Sequence, residues 1–241
     1  MRIVPLYIWN PPLRNGNNRR RSIARLREAL SPEAFGKANF PLHEQQAHRP
    51  TFLERILSSS RVIIIEGISG SGKDTFQRYL KNKLKDRVVY DYSEGELLWS
   101  WKHQQITDIF KMQIRLMKNF LDYIATVLES DEDAVFLLNR FHLSTYTMYT
   151  SPITGQSTVQ REYNAVINTL RTLPAHVFLL QLMEDEMEAR SAHPERGIAW
   201  RRFQQHIFER EGFGNFVKRN AALQKAMVAT AIRQNIPFSI L

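Results

Sequence analysis

Glycines spaced around a single lysine are the part of this sequence whose residue types point most directly to chemistry. Gly67, Gly70 and Gly72 precede Lys73 in the pattern G-x-x-x-x-G-K. Glycines let backbone N–H groups curl around an anion, and a helix that starts at the lysine adds positive potential. The pattern therefore predicts a phosphate-binding loop between a strand and a helix. Its residues are Gly67, Ser69, Gly70, Ser71, Gly72, Lys73, Asp74 and Thr75.

The residues that follow Gly72 predict a metal-dependent nucleotide site. Lys73 is expected to reach the β- and γ-phosphates of ATP. Asp74 stands where a Ser or Thr usually binds Mg²⁺, and the hydroxyl comes one residue later, at Thr75. We expect ATP and Mg²⁺ as cofactors, with Thr75 and Asp74 as the metal-binding residues.

The elements that must position this loop can be read from the apolar pattern. Apolar, β-branched runs predict strands, and apolar residues at three- and four-residue steps predict helices. The predicted strands are 61–66, 88–92, 134–138, 176–182 and 236–241. The predicted helices are 74–85, 103–128, 141–150, 159–172, 184–191 and 199–230. This alternation predicts a three-layer α/β/α fold with a five-stranded parallel sheet and a site at the carboxyl ends of its strands.

The residues after the third predicted strand resemble a segment of the thymidylate kinase and deoxynucleoside kinase group. Asn139, Arg140 and Ser144 occupy the first, second and last positions of its Asp-Arg-Tyr/His-x-x-Ser motif. The resemblance covers about residues 61–241 and implies a P-loop kinase in which Arg140 binds the acceptor or the transferred phosphate. Asn139 departs from the family, which has an acid there to orient Mg²⁺ through water. We hypothesise that Asp74 supplies the missing carboxylate.

A second segment resembles the acceptor site of deoxynucleoside kinases. Glu94 precedes Trp99 by five residues, just after the second predicted strand. By this resemblance Glu94 would accept the proton of a sugar hydroxyl, and Trp99 would line the sugar pocket. Gly95 replaces the proline that is usual in the family, and Glu96 is a rival for the role of the base.

Two further segments complete the predicted site by resemblance. Residues 183–203 resemble an arginine-bearing lid, in which Arg190 and Arg196 would close over ATP and neutralise charge on the transferred group. In the long predicted helix, Gln113 and Arg115 stand where the families contact the base and the acceptor phosphate. They are two residues apart, so they point to different faces of the helix and cannot readily share that role.

Composition and charge restrict the class of protein. The net charge of +9 suits polyanionic partners such as nucleotides or nucleic acid. The absence of cysteine excludes disulfides and thiolate metal sites, and it fits a reducing, cytoplasmic compartment. No apolar run reaches the roughly 18 residues of a membrane span, so no membrane contact is expected.

The chain is predicted to consist of a basic, partly irregular extension, 1–50, and a kinase domain, 51–241, with its lid at about residues 190–202. The first 27 residues contain seven arginines and no Asp or Glu. Three interpretations of the extension stay open: a solvated or packed strap, an arm that binds nucleic acid or another partner, and a mitochondrial transit peptide.

The expected activity is ATP- and Mg²⁺-dependent phosphoryl transfer to a nucleoside monophosphate, with dTMP or a related deoxynucleotide first. A deoxynucleoside kinase with Glu94 as general base is the alternative. Two other classes are a kinase that acts on nucleic acid through the basic N-terminus, and a non-catalytic ATP-binding protein, for which Asn139 is the main argument. A homodimer packed through the 103–128 helix is an option by analogy.

Overall fold

The structure is a computed structural model that describes residues 51–98, 108–149, 157–191, 205, 209 and 212–241. The chain divides into two compact units, residues 1–58 and 59–241. The predicted extension, residues 1–50, lies outside the described residues, and its role stays a prediction.

The described part of the first unit belongs to a helix that the sequence analysis did not assign. Helix α1 is Phe52–Ser59. It starts with a reciprocal capping box, in which the Glu54 N–H donates to Thr51 Oγ1 at 3.2 Å and the Thr51 N–H donates to the Glu54 carboxylate at 2.7 Å. Such a box satisfies backbone donors that the first turn of a helix leaves unpaired.

Within the described residues of the second unit, five parallel strands form one sheet, as predicted. The strands are β1, Val62–Gly67; β2, Val88–Ser93; β3, Ala134–Asn139; β4, Ala175–Leu180; and β5, Phe238–Ile240. Their order across the sheet is β2-β3-β1-β4-β5. Strand β1 is central and pairs with both β3 and β4, so the loop that follows it opens beside the carboxyl ends of these two strands.

Helices cover both faces of this sheet. The described helices are α2, Lys73–Lys83; α3, Glu94–Leu97; α4, Ile109–Ser130; α5, Leu143–Tyr149; α6, Ser157–Thr172; α7, Glu184–Ser191; and α8, Phe213–Gln234. On one face, Val62 of β1 shares a buried cluster with Ile114 of α4 and Val166 of α6. On the other, Phe178 of β4 meets Phe76 of α2 edge to face, with ring centroids 5.2 Å apart. The predicted three-layer architecture is confirmed.

Two of the predicted helices end later than expected. The part of the 103–128 helix that lies in the described residues is α4, which begins after Asp108 and continues to Ser130. Asp108 caps it by accepting a hydrogen bond from the Lys111 N–H at 3.1 Å, a role for which a short acidic side chain is well suited. The described part of the last predicted helix is α8, which continues to Gln234. No helix within the described ranges combines the length and apolar character of a membrane span.

His176 on β4 is expected to make stability depend on pH. The buried ring is hydrogen-bonded to Ser239 Oγ at 2.9 Å, and burial lowers its pKa from 6.5 to about 4. Between these values the unfolded state binds more protons than the folded state, so stability is lost as pH falls from about 6.5 to about 4. This residue should account for roughly 3 kcal/mol of that loss. Urea unfolding of the wild type and of His176→Gln at pH 7 and pH 4 measures the difference, and an identical pH dependence in both would contradict the prediction.

Candidate active site

The loop after β1 has the backbone of a phosphate-binding loop. Gly67, Gly70 and Gly72 have φ angles of 144°, 88° and 92°, in a region that residues with a side chain rarely adopt. A Cβ atom at Gly67 would lie only 2.5 Å from the Leu180 carbonyl oxygen and 2.7 Å from Ser71 Oγ. Glycine is therefore required at Gly67 both by the backbone angle and by the close approach of β4.

Lys73 is the first residue of α2 and lies inside this loop. Its ammonium group donates to the Ile68 carbonyl oxygen at 2.7 Å and reaches Ser71 Oγ at 3.5 Å. Burial, and next the positive charge of Arg140, lower the pKa of Lys73 well below its usual value. The lysine is held by the backbone of the loop itself, so its charge is directed to the place where phosphate oxygens would lie.

Glu66 was missed by the sequence analysis, although it connects the loop to the segment that carries Arg140. Its fully buried carboxylate accepts hydrogen bonds from the N–H groups of Phe141, Leu143 and Ser144 at 2.9–3.2 Å and from Ser144 Oγ at 2.7 Å. These donors include the first N–H groups of α5, where a negative charge is favourable. An acid at the end of an otherwise apolar buried strand was the signal that could have identified it.

We expect Glu66→Gln to destabilise the fold by about 3 kcal/mol, because an amide presents N–H donors to backbone donors that need an acceptor. Ser144→Ala is the matched control, since it removes one of the four hydrogen bonds and should reduce stability by only about 1 kcal/mol. Chemical denaturation of the three proteins measures both effects. Equal stability losses in the two variants would show that the carboxylate is not the common acceptor.

Arg140 directly follows β3 in a strained backbone conformation. Its φ angle is 62°, and its N–H donates to the Ile65 carbonyl oxygen of β1 at 2.8 Å. Its guanidinium donates to Glu94 at 2.8 Å, while Nε is buried without a hydrogen-bond partner among the described residues. Residues held in this region of φ cluster at functional sites. The sheet thus brings Arg140 and Glu94, from the ends of β3 and β2, to the same place.

The structure separates the two candidate bases, Glu94 and Glu96. Both lie in the short helix α3, but Glu96 accepts hydrogen bonds from the Ser93 N–H and hydroxyl, each at 2.6 Å. The hydrogen bond from the Ser93 hydroxyl is the main reason that the pKa of Glu96 is lowered. Glu96 therefore caps its own helix, and Glu94 is the acid that faces Arg140. Trp99 lies outside the described residues, so its predicted place in a sugar pocket stays a prediction.

Asp74 and Asn139 are in direct contact. The Asn139 amide nitrogen donates to an Asp74 carboxylate oxygen at 2.7 Å and to Gln77 Oε1 at 2.9 Å. The exposed carboxylate of Asp74 and the hydroxyl of the half-buried Thr75 are hard oxygen donors of the kind that Mg²⁺ prefers. Across the described segments no three His, Cys, Asp or Glu side chains form a group that could hold a metal. The donor set fits an ion that is shared with substrate phosphates rather than one held by protein ligands alone.

Arg190 of α7 lies over the phosphate-binding loop. One terminal nitrogen approaches the Gly70 carbonyl oxygen at 3.5 Å, and the other forms an ion pair with Glu186 at 3.6 Å. The guanidinium is also 3.9 Å from the position of a Cβ at Gly72. The role of Arg190 in a lid stays a prediction. Arg196 lies outside the described residues, and its role stays a prediction.

Gln113 and Arg115 of α4 do point to different faces, as predicted. Gln113 is fully buried and donates to the Leu98 carbonyl oxygen at 3.0 Å, whereas Arg115 is exposed. Gln113 thereby fixes the end of helix α3, and its carbonyl oxygen has no partner among the described residues. Contact of either residue with a substrate stays a prediction.

Comparison with known proteins gives matches to solved structures at low sequence identity. No family model matches the chain, and no curated protein sequence does. Among solved structures, it is similar to the Bacillus subtilis YorR protein in complex with phosphorylated GDP, with a TM-score of 0.46, 14% identity, and coverage of 75% of this chain and 84% of that chain. It is also similar to thymidylate kinase from Ehrlichia chaffeensis, with a TM-score of 0.43, 16% identity, and coverage of 76% and 87%. Sheet order and loop geometry, taken by themselves, make this a P-loop α/β fold.

Proposed function

We propose that the protein is a kinase that transfers the γ-phosphoryl group of ATP to a nucleoside monophosphate. The observation that carries the proposal is the convergence of Lys73, Arg140 and Arg190 at one end of the sheet. Lys73 and Arg190 contact the backbone of the loop after β1, and Arg140 follows the neighbouring strand β3, where its N–H donates to the Ile65 carbonyl oxygen of β1. A phosphate-binding loop by itself serves one polyanion, and a fixed arginine beside it reduces the repulsion when a second polyanion approaches.

The residues have separate roles in the proposed reaction. Backbone N–H groups of the loop and Lys73 hold the β- and γ-phosphates, while Arg140 and Arg190 neutralise charge on the moving group. An acceptor oxygen bonds to the γ-phosphorus as the bond to the bridging oxygen of ADP breaks, and ADP leaves with that electron pair. Bound Mg²⁺ would offset phosphate charge, and Asp74 and Thr75 would hold it. Closure of the lid would exclude water and so prevent hydrolysis of ATP.

A free deoxynucleoside is the second candidate acceptor, and the position of Glu94 favours it. A sugar hydroxyl needs a base to take its proton, whereas a monophosphate is already ionised near pH 7. Two observations support Glu94 as the base: it is half-buried beside Arg140, and its rival Glu96 is engaged in capping. The ion pair with Arg140 equally suits a purely positioning role, in which Glu94 orients the guanidinium toward an acceptor phosphate.

ADP release by the full-length protein with Mg-ATP tests the function. The acceptor panel contains nucleosides, nucleoside monophosphates with dTMP among them, and a short oligonucleotide, and Lys73→Ala provides the blank. Turnover on monophosphates is the expected result, and turnover on nucleosides alone would support the second candidate. Turnover only on the oligonucleotide would identify a nucleic-acid kinase that uses residues 1–50. No turnover above the blank would overturn the enzyme proposal in favour of an ATP-binding protein without transfer activity.

Glu94→Gln separates the two acceptor classes. With a monophosphate acceptor we expect kcat to fall less than about tenfold, because no proton has to be removed in the transfer step. With a nucleoside acceptor the loss should reach at least about 10²-fold, which is the usual contribution of a general base. The exposed Glu96→Gln is the matched control and should leave kcat within about threefold of the wild type, since that carboxylate only caps α3.

The proposed setting of this reaction is the cytoplasm, where ATP is available and a chain without cysteine needs no oxidising environment. A homodimer packed through α4 also stays a proposal. Sedimentation of the full-length protein over a range of concentrations tests the dimer.

A further inference from the structure

We infer that Asp74 has taken over the role of the acid that usually stands at the position of Asn139 in a P-loop kinase. Asp74 on α2 provides the carboxylate for the Mg²⁺ that accompanies ATP, and Asn139 at the end of β3, together with Gln77, holds that carboxylate in place. The inference rests on the proposed function as far as binding of Mg-ATP is concerned, and it is independent of the acceptor.

The contact between the two residues has an orientation that chemistry fixes. A carboxylate only accepts hydrogen bonds, so the Asn139 group that lies 2.7 Å from Asp74 must be the amide NH₂. The second hydrogen of the same group is directed to Gln77 Oε1 at 2.9 Å. Both N–H donors of the Asn139 side chain are therefore used by residues of α2, and its carbonyl oxygen points away from Asp74 and Gln77. Asn139 is 7% exposed, so water competes little for these two hydrogen bonds.

The hydrogen bonds of Asn139 to Asp74 and Gln77 connect the two elements that must meet when Mg-ATP binds. Asp74 directly follows Lys73 in α2, and Asn139 directly precedes Arg140 after β3. Asp74 itself is exposed, so its carboxylate is held at one oxygen and accessible to solvent. Mg²⁺ keeps several waters and needs only one or two carboxylates besides the phosphates. The site thus has the one acid that it requires. This acid is Asp74 on α2, and it is hydrogen-bonded to Asn139, the residue of β3 at which the family has its acid.

A purely structural tie between α2 and β3 is the competing explanation. Such a tie would hold the helix to the sheet in the same way but would not make ATP binding depend on Mg²⁺. The two explanations differ in one measurable quantity, which is the ratio of the Kd of ATP in EDTA to its Kd in Mg²⁺. A carboxylate beside the phosphates raises this ratio twice, because it repels metal-free ATP and attracts the metal complex.

The experiment measures this ratio by calorimetry on full-length protein, without any acceptor, for the wild type and three variants. Asp74→Asn should lower it by at least about tenfold, which is the typical effect of losing a metal-site partner. The double variant Asp74→Asn, Asn139→Asp returns the acid to the strand and keeps the hydrogen bond, and it should restore the ratio to within about threefold of the wild type. Asp91→Asn removes an equal charge from a half-exposed residue of β2 that forms an ion pair with Lys81, and it should leave the ratio unchanged.

Thermal unfolding of each variant keeps a folding defect apart from a metal effect. An unchanged ratio in Asp74→Asn, with ATP still bound, would overturn the inference and leave the structural tie. A double variant as weak as Asp74→Asn, although folded, would also overturn it, because the two positions would then not be interchangeable. If ATP does not bind to the wild type at all, the proposed function fails together with the inference, and this outcome is distinguishable from both others.

Discussion

Replacing Lys73 with methionine is expected to lower phosphoryl transfer by on the order of 10³-fold, the scale of losing one charge-stabilising group in a preorganised site. The same change should not lower stability. The ammonium group is buried in the loop, and the burial that lowers its pKa well below the usual value also makes the charged form costly in free energy. Methionine has a similar length, no charge and no desolvation cost, which offsets the lost hydrogen bond to the Ile68 carbonyl oxygen.

The stability difference between Lys73→Met and the wild type should itself depend on pH. The unfolded lysine holds its proton up to about 10.5, whereas the folded one releases it earlier. The unfolded state therefore binds more protons in this window, and raising the pH from 7 toward 10 stabilises the wild type relative to the variant. Chemical denaturation at several pH values checks the sign. A variant that is less stable than the wild type at pH 7 would contradict the account of Lys73 as a retained, destabilising charge.

Removing the side chain of Arg140 should lower kcat by about 10³-fold or more, since a fixed arginine of this kind raises kcat of phosphoryl transfer by about 10³–10⁵-fold. Glycine and alanine at this position should be equally inactive but differ in stability. The φ angle of 62° is favourable for glycine and strained for alanine. We therefore expect Arg140→Gly to be more stable than Arg140→Ala by about 1 kcal/mol.

Arg140→Gly and Arg140→Ala can be compared directly with each other. Both lose the ion pair with Glu94, so this loss cancels in the difference between their stabilities. Urea unfolding gives the stability difference, and ADP release gives the activity. Equal stability of the two variants would mean that the backbone relaxes when the arginine is removed. Arg140→Lys keeps a charge without the planar fork, so partial activity in that variant would assign the remainder of the effect to bidentate geometry.

The sheet and the loop were predictable because each is encoded locally. A continuous apolar run such as Ile63–Ile65 can only be a buried strand or a short buried helix segment, and the glycine-rich loop that follows it selects the strand. Helix ends were less predictable, because caps such as Asp108 depend on single side chains and on where neighbouring strands begin.

The connections within the site were not predictable from sequence, because they join residues that are far apart in the chain. Glu66 contacts Ser144, and Asn139 contacts Asp74, only because β1 and β3 are neighbours in the sheet. The sequence analysis placed Asp74 and Asn139 in one hypothesis by chemical reasoning, but it could not supply their hydrogen bond. The positive φ of Arg140 has no local signal either, since an arginine rarely adopts it.

The central place of β1 has a consequence for the biosynthesis of the protein. Val62 pairs with Phe136 on one side and Ala175 on the other, so the phosphate-binding loop emerges from the ribosome long before either neighbouring strand exists. The early chain holds every glycine of the loop but has neither the β4 carbonyl that Gly67 approaches nor the β3 end that carries Arg140. If the protein binds ATP as proposed, ATP would stabilise only chains in which β3 and β4 have joined the sheet, and it would not assist the first stages of folding. The proposed nucleotide binding would then come late in folding, and we expect fragments that stop before residue 134 not to retain ATP.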